Sequence, residues 1–282
     1  MPMLPRLRVL TFPTIRRRHP WAFTAPVKVA VALAVQGIVL IPYLAIRAGA
    51  EDIGFPRAHG VIISIERAIG GGQTPNERLQ ALYTGFGPLE WALFAAYASF
   101  FFIPMIVVAA VAATDWNAIP RLVLAYVLLY YTAALSFVLL PTEPPWMALG
   151  VDRLLYQSGF DPGTDIDPNQ LAAFPSLHVA TPALFAFFGQ TRGYWWWRVM
   201  ALDALLIGIA IVYFGEHYVV DAVAGVALSW GVVATTNSTV AGALAESFAA
   251  PRARVRLVPS ARRVHSVSGR PHVTDAEHGS LA

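Results

Sequence analysis

The chain has 282 residues, of which 56% are hydrophobic and only 13% charged, with a mean hydropathy of +0.55. So little charge cannot cover the surface of a soluble domain of this length, and the class is membrane protein. The net charge of +3 sits mainly at the two ends, which points to topology and anionic lipid rather than nucleic acid, and the lack of cysteine excludes disulfides, Cys–zinc sites and thiol nucleophiles.

The N-terminus, MPMLPRLRVLTFPTIRRRHP, is basic but has no contiguous apolar core followed by a small-residue cleavage site. It reads as a retained cytoplasmic tail over 1–26. A span needs about 20 mostly apolar residues whose backbone is hydrogen-bonded within its own helix. By that measure about six spans are predicted, at 27–46, 89–113, 120–140, 174–190 (a short one), 198–214 and 217–236. Between the first two, Val61, Ile65, Ala68 and Ile69 recur at helical spacing with Glu66 and Arg67 among them. This predicts a short amphipathic helix lying in the interface, stopped by Gly70, Gly71 and Gly72. The fold class is therefore all-α, a polytopic membrane helical bundle forming one domain over 27–245, followed by a disordered basic tail over 246–282.

Positive charges set the topology. Residues 1–28 carry Arg6, Arg8, Arg16, Arg17, Arg18 and Lys28 without an acid, and the C-terminal tail carries Arg252, Arg254, Arg256, Arg262, Arg263 and Arg270 against Asp275 and Glu277. Both termini are expected in the cytoplasm, which an even number of spans satisfies. The connection TRGYWWWR then lies inside, with Trp195, Trp196 and Trp197 in the aromatic belt. The 141–174 connection lies outside and is acidic, with Glu143, Asp152, Asp161, Asp165 and Asp167 against Arg153 alone. The expected location is the plasma (inner) membrane, with the active site facing outward.

Four of the seven histidines, His19, His265, His272 and His278, fall in polar tails, and His59 sits in an outer loop without an evident partner. His178 and His217 differ because both begin membrane helices. His217 and Asp221 are spaced to share one helix face. An aspartate at the start of an apolar helix is costly unless paired. A carboxylate on one ring nitrogen fixes the tautomer and raises the basicity of the other, which prepares the imidazole as a base or nucleophile. His178, in AAFPSLHVATP, lies far off in sequence, but descent through the fourth span and return through the fifth bring both imidazoles to one depth. A lone histidine at a bilayer surface is adequately explained as a polar anchor; this pair is not. Ser176 and the amides around Leu177 and His178 stand at a helix N-terminus, a ready anion site. The set suits phosphoryl transfer, one histidine attacking phosphorus and the other protonating the departing oxygen, with no metal or other cofactor required. Two other classes stay open. One is a transporter or lipid-binding membrane protein, against which the polar residues gather at one surface rather than the midplane. The other is a metal site made of His178, His217 and Asp221.

Pro175-Ser176-Leu177-His178 and His217-Tyr-Val-Val-Asp221 resemble the second and third motifs of the type-2 phosphatidic acid phosphatase superfamily, over about 58–236. The finer pattern, FPSLH, PTEPPW (Pro141 to Trp146) and GEHYVVD, together with IERAIG and LYTGFG, is similar to the branch related to inositol phosphorylceramide synthase. The resemblance implies a lipid-phosphate or lipid-pyrophosphate phosphatase among membrane lipids, with a head-group phosphotransferase as the alternative. It implies His217 as the nucleophile that forms a phosphohistidine, Asp221 as its orienter, His178 as acid then base, and Ser176 as a ligand of a phosphate oxygen. The family's first motif, a lysine and an Arg-Pro, has no counterpart here, and Ile211 stands where an arginine is expected. Arg67, Arg78 and Arg153 are the outer-side cations that remain to balance a phosphate. Phe101 or a neighbour occupies a position where a polar residue or histidine is expected.

Overall fold

The computed structural model describes residues 24–159 and 169–238, all within one unit, Met1–Pro251. The basic stretch before residue 24, the tail over 246–282 with its arginines and histidines, and Asp161, Asp165 and Asp167 lie outside the described residues. Ten α-helices are present among those described: α1 (Ala25–Gly49), α2 (His59–Ile69), α3 (Pro75–Gln80), α4 (Pro88–Ser99), α5 (Ile103–Thr114), α6 (Ile119–Leu139), α7 (Pro145–Ala148), α8 (Leu177–Arg192), α9 (Trp197–Tyr213) and α10 (Val219–Asn237). The described residues contain no strand beyond an isolated bridge between Thr142 and Ala172. Helix starts are set by proline, which gives up an N–H that the first turn does not use. It opens α1, α3, α4, α5, α6 and α7.

Every predicted span holds a helix, but the spans are not alike. Ala25–Gly49, Trp116–Leu139 and Val219–Asn237 are long and apolar enough to cross a membrane. The span predicted at 89–113 is two helices, α4 and α5, bent by 48° at their junction; taken together they make a fourth candidate. The break follows from Pro104, which offers no N–H and whose ring crowds the carbonyl four residues earlier, at Phe100. Helices α8 and α9 have 16 and 17 residues and fall short of the length used for a full crossing.

Helix α8 is buried on most of its length and packs chiefly on α9 and α10, with α6 behind it. Its crossing with α10 is backbone on backbone: a Cβ added at Gly225 would stand 2.5 Å from the Ser176 carbonyl oxygen. Helix α1 packs on α5 and α6, and α4 packs on α9. Many large apolar side chains remain exposed on the helix flanks, among them Ile38, Ile41, Trp91, Ile106, Leu205, Val223 and Trp230. An apolar exterior of that extent is what lipid, not water, surrounds.

The predicted interfacial helix is present as α2 and ends at Gly70, with Gly71 and Gly72 in left-handed backbone beyond it. Its apolar stripe of Val61, Ile65 and Ile69 is exposed, while Ile62 and Glu66 face inward. That orientation serves a helix lying in an interface, with the stripe toward lipid and the opposite face docked on the protein.

Candidate active site

The connections at one end of the bundle are cross-braced around the turn that carries His217. Thr142 N–H donates to Leu171 O at 2.7 Å, and Ala58 N–H donates to Pro141 O at 2.9 Å. The fully buried Asn76, just inside α3, donates to Val212 O at 2.7 Å and to His217 O at 3.0 Å. Trp146 N–H donates to Gly215 O, and Gly215, at φ +79°, is pressed so closely on Asp152 O that a side chain would collide. Helix α3 can do this because its own start is closed by a capping box, in which Thr74 and Glu77 exchange hydrogen bonds.

Within this frame His178, at the start of α8, and His217, just before α10, come together with His178 Nδ1 3.2 Å from His217 Nε2. His217 Nδ1 lies 2.9 Å from Ala173 O and 3.3 Å from Asp221 Oδ2. A carbonyl only accepts, so His217 donates from Nδ1, and Nε2 carries the lone pair that faces His178. Asp221 is fully buried, and its Oδ2 also accepts the Tyr218 N–H at 2.9 Å, which closes the first turn of α10. His178 is held differently, by rings: Tyr97 stacks on it at 5.1 Å between centroids, and Phe100 lies tilted at 4.4 Å. Phe100, the neighbour of Phe101, and Tyr97 are thus the rings that meet His178 from the stretch where a polar residue or histidine is expected.

Ser176 does not join the group at the cavity wall. It caps α8, its N–H donates to Asp221 O at 3.0 Å, and its carbonyl is pressed on Gly225, so the residue faces α10. Its hydroxyl is buried and has no hydrogen-bond partner among the described residues.

Both imidazoles line a cavity of about 470 Å³ bounded by α1, the α4–α5 bend, α6 and the connections at this end of the bundle. Of the cations singled out from sequence, Arg153 lines this cavity and Arg67 and Arg78 do not. Arg153 donates to both oxygens of Glu216, at 2.7 and 3.0 Å, and its guanidinium lies over the rings of Trp146 and Tyr156, at 4.6 and 4.3 Å. A second cation in the wall, Arg47 at the end of α1, went unrecognised. It donates to Asn169 O at 3.1 Å, and Asn169 returns a bond to Arg47 O at 2.7 Å. The available signal was a lone arginine in the last turn of an apolar span. Ile211 is fully buried in a hydrophobic cluster, so no cation replaces it there, and its carbonyl accepts from Glu216 and His217 N–H.

Two acids outside the spans were also underread. Glu66 is fully buried and accepts the Val220 N–H at 2.7 Å, tying α2 to the start of α10; burial raises its carboxyl above the ordinary range. His59, without an evident partner in sequence, has Nδ1 3.6 Å from Glu143 Oε2, and Glu143 also pairs with Arg57. Among the described residues no group of three or more His, Asp or Glu is arranged to hold a metal ion.

No curated protein and no solved structure matches the chain. The family model described as the PAP2 superfamily matches residues 61–235, a stretch that holds both histidines, Asp221 and the Arg153–Glu216 pair. That match covers more than half of the sequence, and the chain belongs to the PAP2 superfamily.

Proposed function

We propose that the protein is an integral membrane lipid-phosphate or lipid-pyrophosphate phosphatase that works through a phosphohistidine on His217, at the extracytoplasmic face of a six-span bundle with both termini in the cytoplasm. The observation that carries the reading is the pairing of His217 Nε2 with His178 Nδ1 inside the cavity, while His217 Nδ1 is held from behind by Ala173 O and Asp221. Superfamily membership fits phosphatase or phosphotransferase chemistry.

In this reading the substrate phosphate inserts between the imidazoles. His217 Nε2 attacks phosphorus, the bond from phosphorus to the lipid oxygen breaks, and His178 passes its proton to that departing oxygen. The lipid alcohol leaves, or the lipid monophosphate when the substrate is a pyrophosphate and the bridging P–O bond is the one that breaks. Water then attacks the phosphohistidine, His178 takes its proton, and inorganic phosphate is released. Asp221 and Ala173 O keep the His217 ring in the tautomer this requires and stabilise the charge it gains. The amides of Leu177, His178 and Val179, free by their position in the first turn of α8, face the phosphoryl oxygens. The buried, unbonded Ser176 hydroxyl, two residues before His178, becomes a further donor by turning about its side-chain bond toward the phosphate, since leaving such a group unmade is costly. Arg153 and Arg47 supply the balancing charge. A lipid hydroxyl in place of water makes the same steps a head-group transfer.

Purified protein given phosphatidic acid, polyprenyl pyrophosphate and phosphatidylinositol should release phosphate or transfer a head group from at least one of them. His217→Ala should lower that activity by at least about a thousandfold, the scale of losing a nucleophile that works as part of a unit. Near-normal turnover in the variant would overturn the mechanism.

A further inference from the structure

The cavity does not end at the imidazoles. Its wall continues along α1 and α6, away from the bracing connections, and Gln36 and Arg47 both line it. On one straight helix they stand about 16 Å apart at 1.5 Å per residue. Hydrocarbon is the expected lining at that depth, yet polar side chains stand among the apolar ones in the wall there. Gln36 lines the same wall as Tyr126, the Tyr126 hydroxyl donates to Tyr130 at 2.9 Å, and the Tyr130 hydroxyl lies 3.1 Å from Thr181 Oγ1. All four residues are more than nine-tenths buried, and Gln36, Tyr126 and Tyr130 face the cavity. Thr181 follows His178 by less than one turn of α8, so the ladder begins just below the imidazole and runs away from it.

We propose that Gln36, Tyr126 and Tyr130 form a hydrogen-bonding subsite for the lipid part of the substrate, one that selects a phosphate whose backbone carries ester or amide carbonyls over one borne on a plain hydrocarbon such as a polyprenyl chain. The inference rests on the lipid-phosphate reading of the site. Carbonyls of an acylated backbone lie only a few bonds from the phosphorus, which places them beside the upper rungs while the phosphate occupies the histidines. A primary amide has two donors and an acceptor with two lone pairs, and a phenol both donates and accepts. Tyr126 spends its one O–H on Tyr130, so the donors left for a ligand carbonyl are the Gln36 amide N–H and, where Thr181 donates to Tyr130, the Tyr130 O–H; a hydrocarbon pressed there leaves them unmet. Gln36 lies on α1, before the matched segment at 61–235, so one rung of the subsite comes from outside that segment. The competing structural role is a polar bond gluing α1 to α6, a common device between membrane helices.

The test uses the full-length protein in detergent or nanodiscs and two probes of equal chain length, a diacyl phosphatidic acid and its dialkyl ether analogue. Phosphate release is measured for both, and binding is measured separately with the phosphonate of each. Wild type should bind and turn over the diacyl form about tenfold better, the scale of one retained hydrogen bond. Gln36→Leu and the double variant Tyr126→Phe, Tyr130→Phe should bring that preference close to one, by weakening the diacyl form about tenfold more than the ether. Equal binding of both phosphonates by wild type, or a polyprenyl phosphate bound as tightly as the diacyl form, overturns the subsite. So do variants that weaken both probes alike with a lower melting temperature, which is the signature of helix glue. If the diacyl preference in binding is present but no lipid phosphate is ever turned over, the subsite stands and the catalytic reading falls.

Discussion

The two ends of the bundle are built to different standards. At the histidine end, backbone carbonyls of Val212, His217, Tyr213 and Gly215 are each held by a donor from another part of the chain. The acids there are buried and bonded to helix N-termini, as Glu66 is to Val220 and Asp221 to Tyr218. At the opposite end the side-chain ties among the described residues are more exposed: Arg121 donates to Asn237 Oδ1 at 3.3 Å, and Asp115 accepts from Tyr194 O–H at 2.7 Å and from Arg192 at 3.3 Å. Burial together with that acceptor holds the Tyr194 hydroxyl up at about 12. The difference teaches where precision is needed. One end must keep two rings within hydrogen-bond distance inside a cavity, and the other need only turn the chain.

Substitutions at each end should expose that contrast. The largest effect after loss of the nucleophile is expected from Asp221→Asn, which keeps the shape but removes the charge that orients the His217 ring. Phosphate release should fall by at least about a hundredfold with the fold intact by circular dichroism. A smaller loss than tenfold would transfer the orienting role to Ala173 O. Next comes Gly225→Ala, which forces a methyl toward the Ser176 carbonyl; overpacking of this kind costs about 1–3 kcal/mol. A lower melting temperature in detergent should accompany lowered turnover, because the same contact sits under His178.

Glu66 predicts a pH dependence. Its carboxyl is raised above the ordinary 4.5 by burial, so between that value and its raised pKa the folded protein holds a proton that the unfolded chain has lost. Stability from this group is therefore present below about 4.5 and is lost as pH rises through the raised value. Glu66→Gln, which still offers an oxygen to Val220 N–H, should flatten that fall in melting temperature. An unchanged slope would mean that α2 is not docked through this carboxyl. The smallest effect is expected from Asp115→Asn at the far end. It breaks a half-exposed ion pair worth under about 1 kcal/mol and should leave turnover within twofold of wild type. A large loss of activity there would erase the contrast between the ends.

Much of this was legible in the sequence because the governing patterns are local. Apolar runs place the helices, and prolines place most of their starts. The i to i+4 spacing of His217 and Asp221, with a span down and a span back from His178, is enough to bring the three residues together. Pro104 was equally visible, yet a continuous apolar run over 89–113 outweighed it, and the bend was missed. What could not be read depends on burial across elements distant in sequence. Asn76 and Glu66 look like ordinary surface polar residues until the turn at Gly215 and the start of α10 are laid against them. Arg47 reads as a span terminus, and Gln36 as a blemish in one, until α6 and the connections at the histidine end form a cavity beside them. Ser176 shows both kinds of signal: its motif is local and points to the phosphate, while the backbone bond to Asp221 that fixes it against α10 could not be read.

Where α8 crosses α10, no side chain stands between Gly225 and the Ser176 carbonyl. Spacing set by side chains has give, because rotamers hop and long chains flex. Spacing set by two peptide backbones has almost none. His178 sits two residues beyond one side of that contact, and His217 sits two turns before the other. The gap between the imidazoles, into which the proposed reaction brings a phosphorus atom, is thus gauged by main chain on main chain, a tolerance that thermal motion of the surrounding side chains does not loosen.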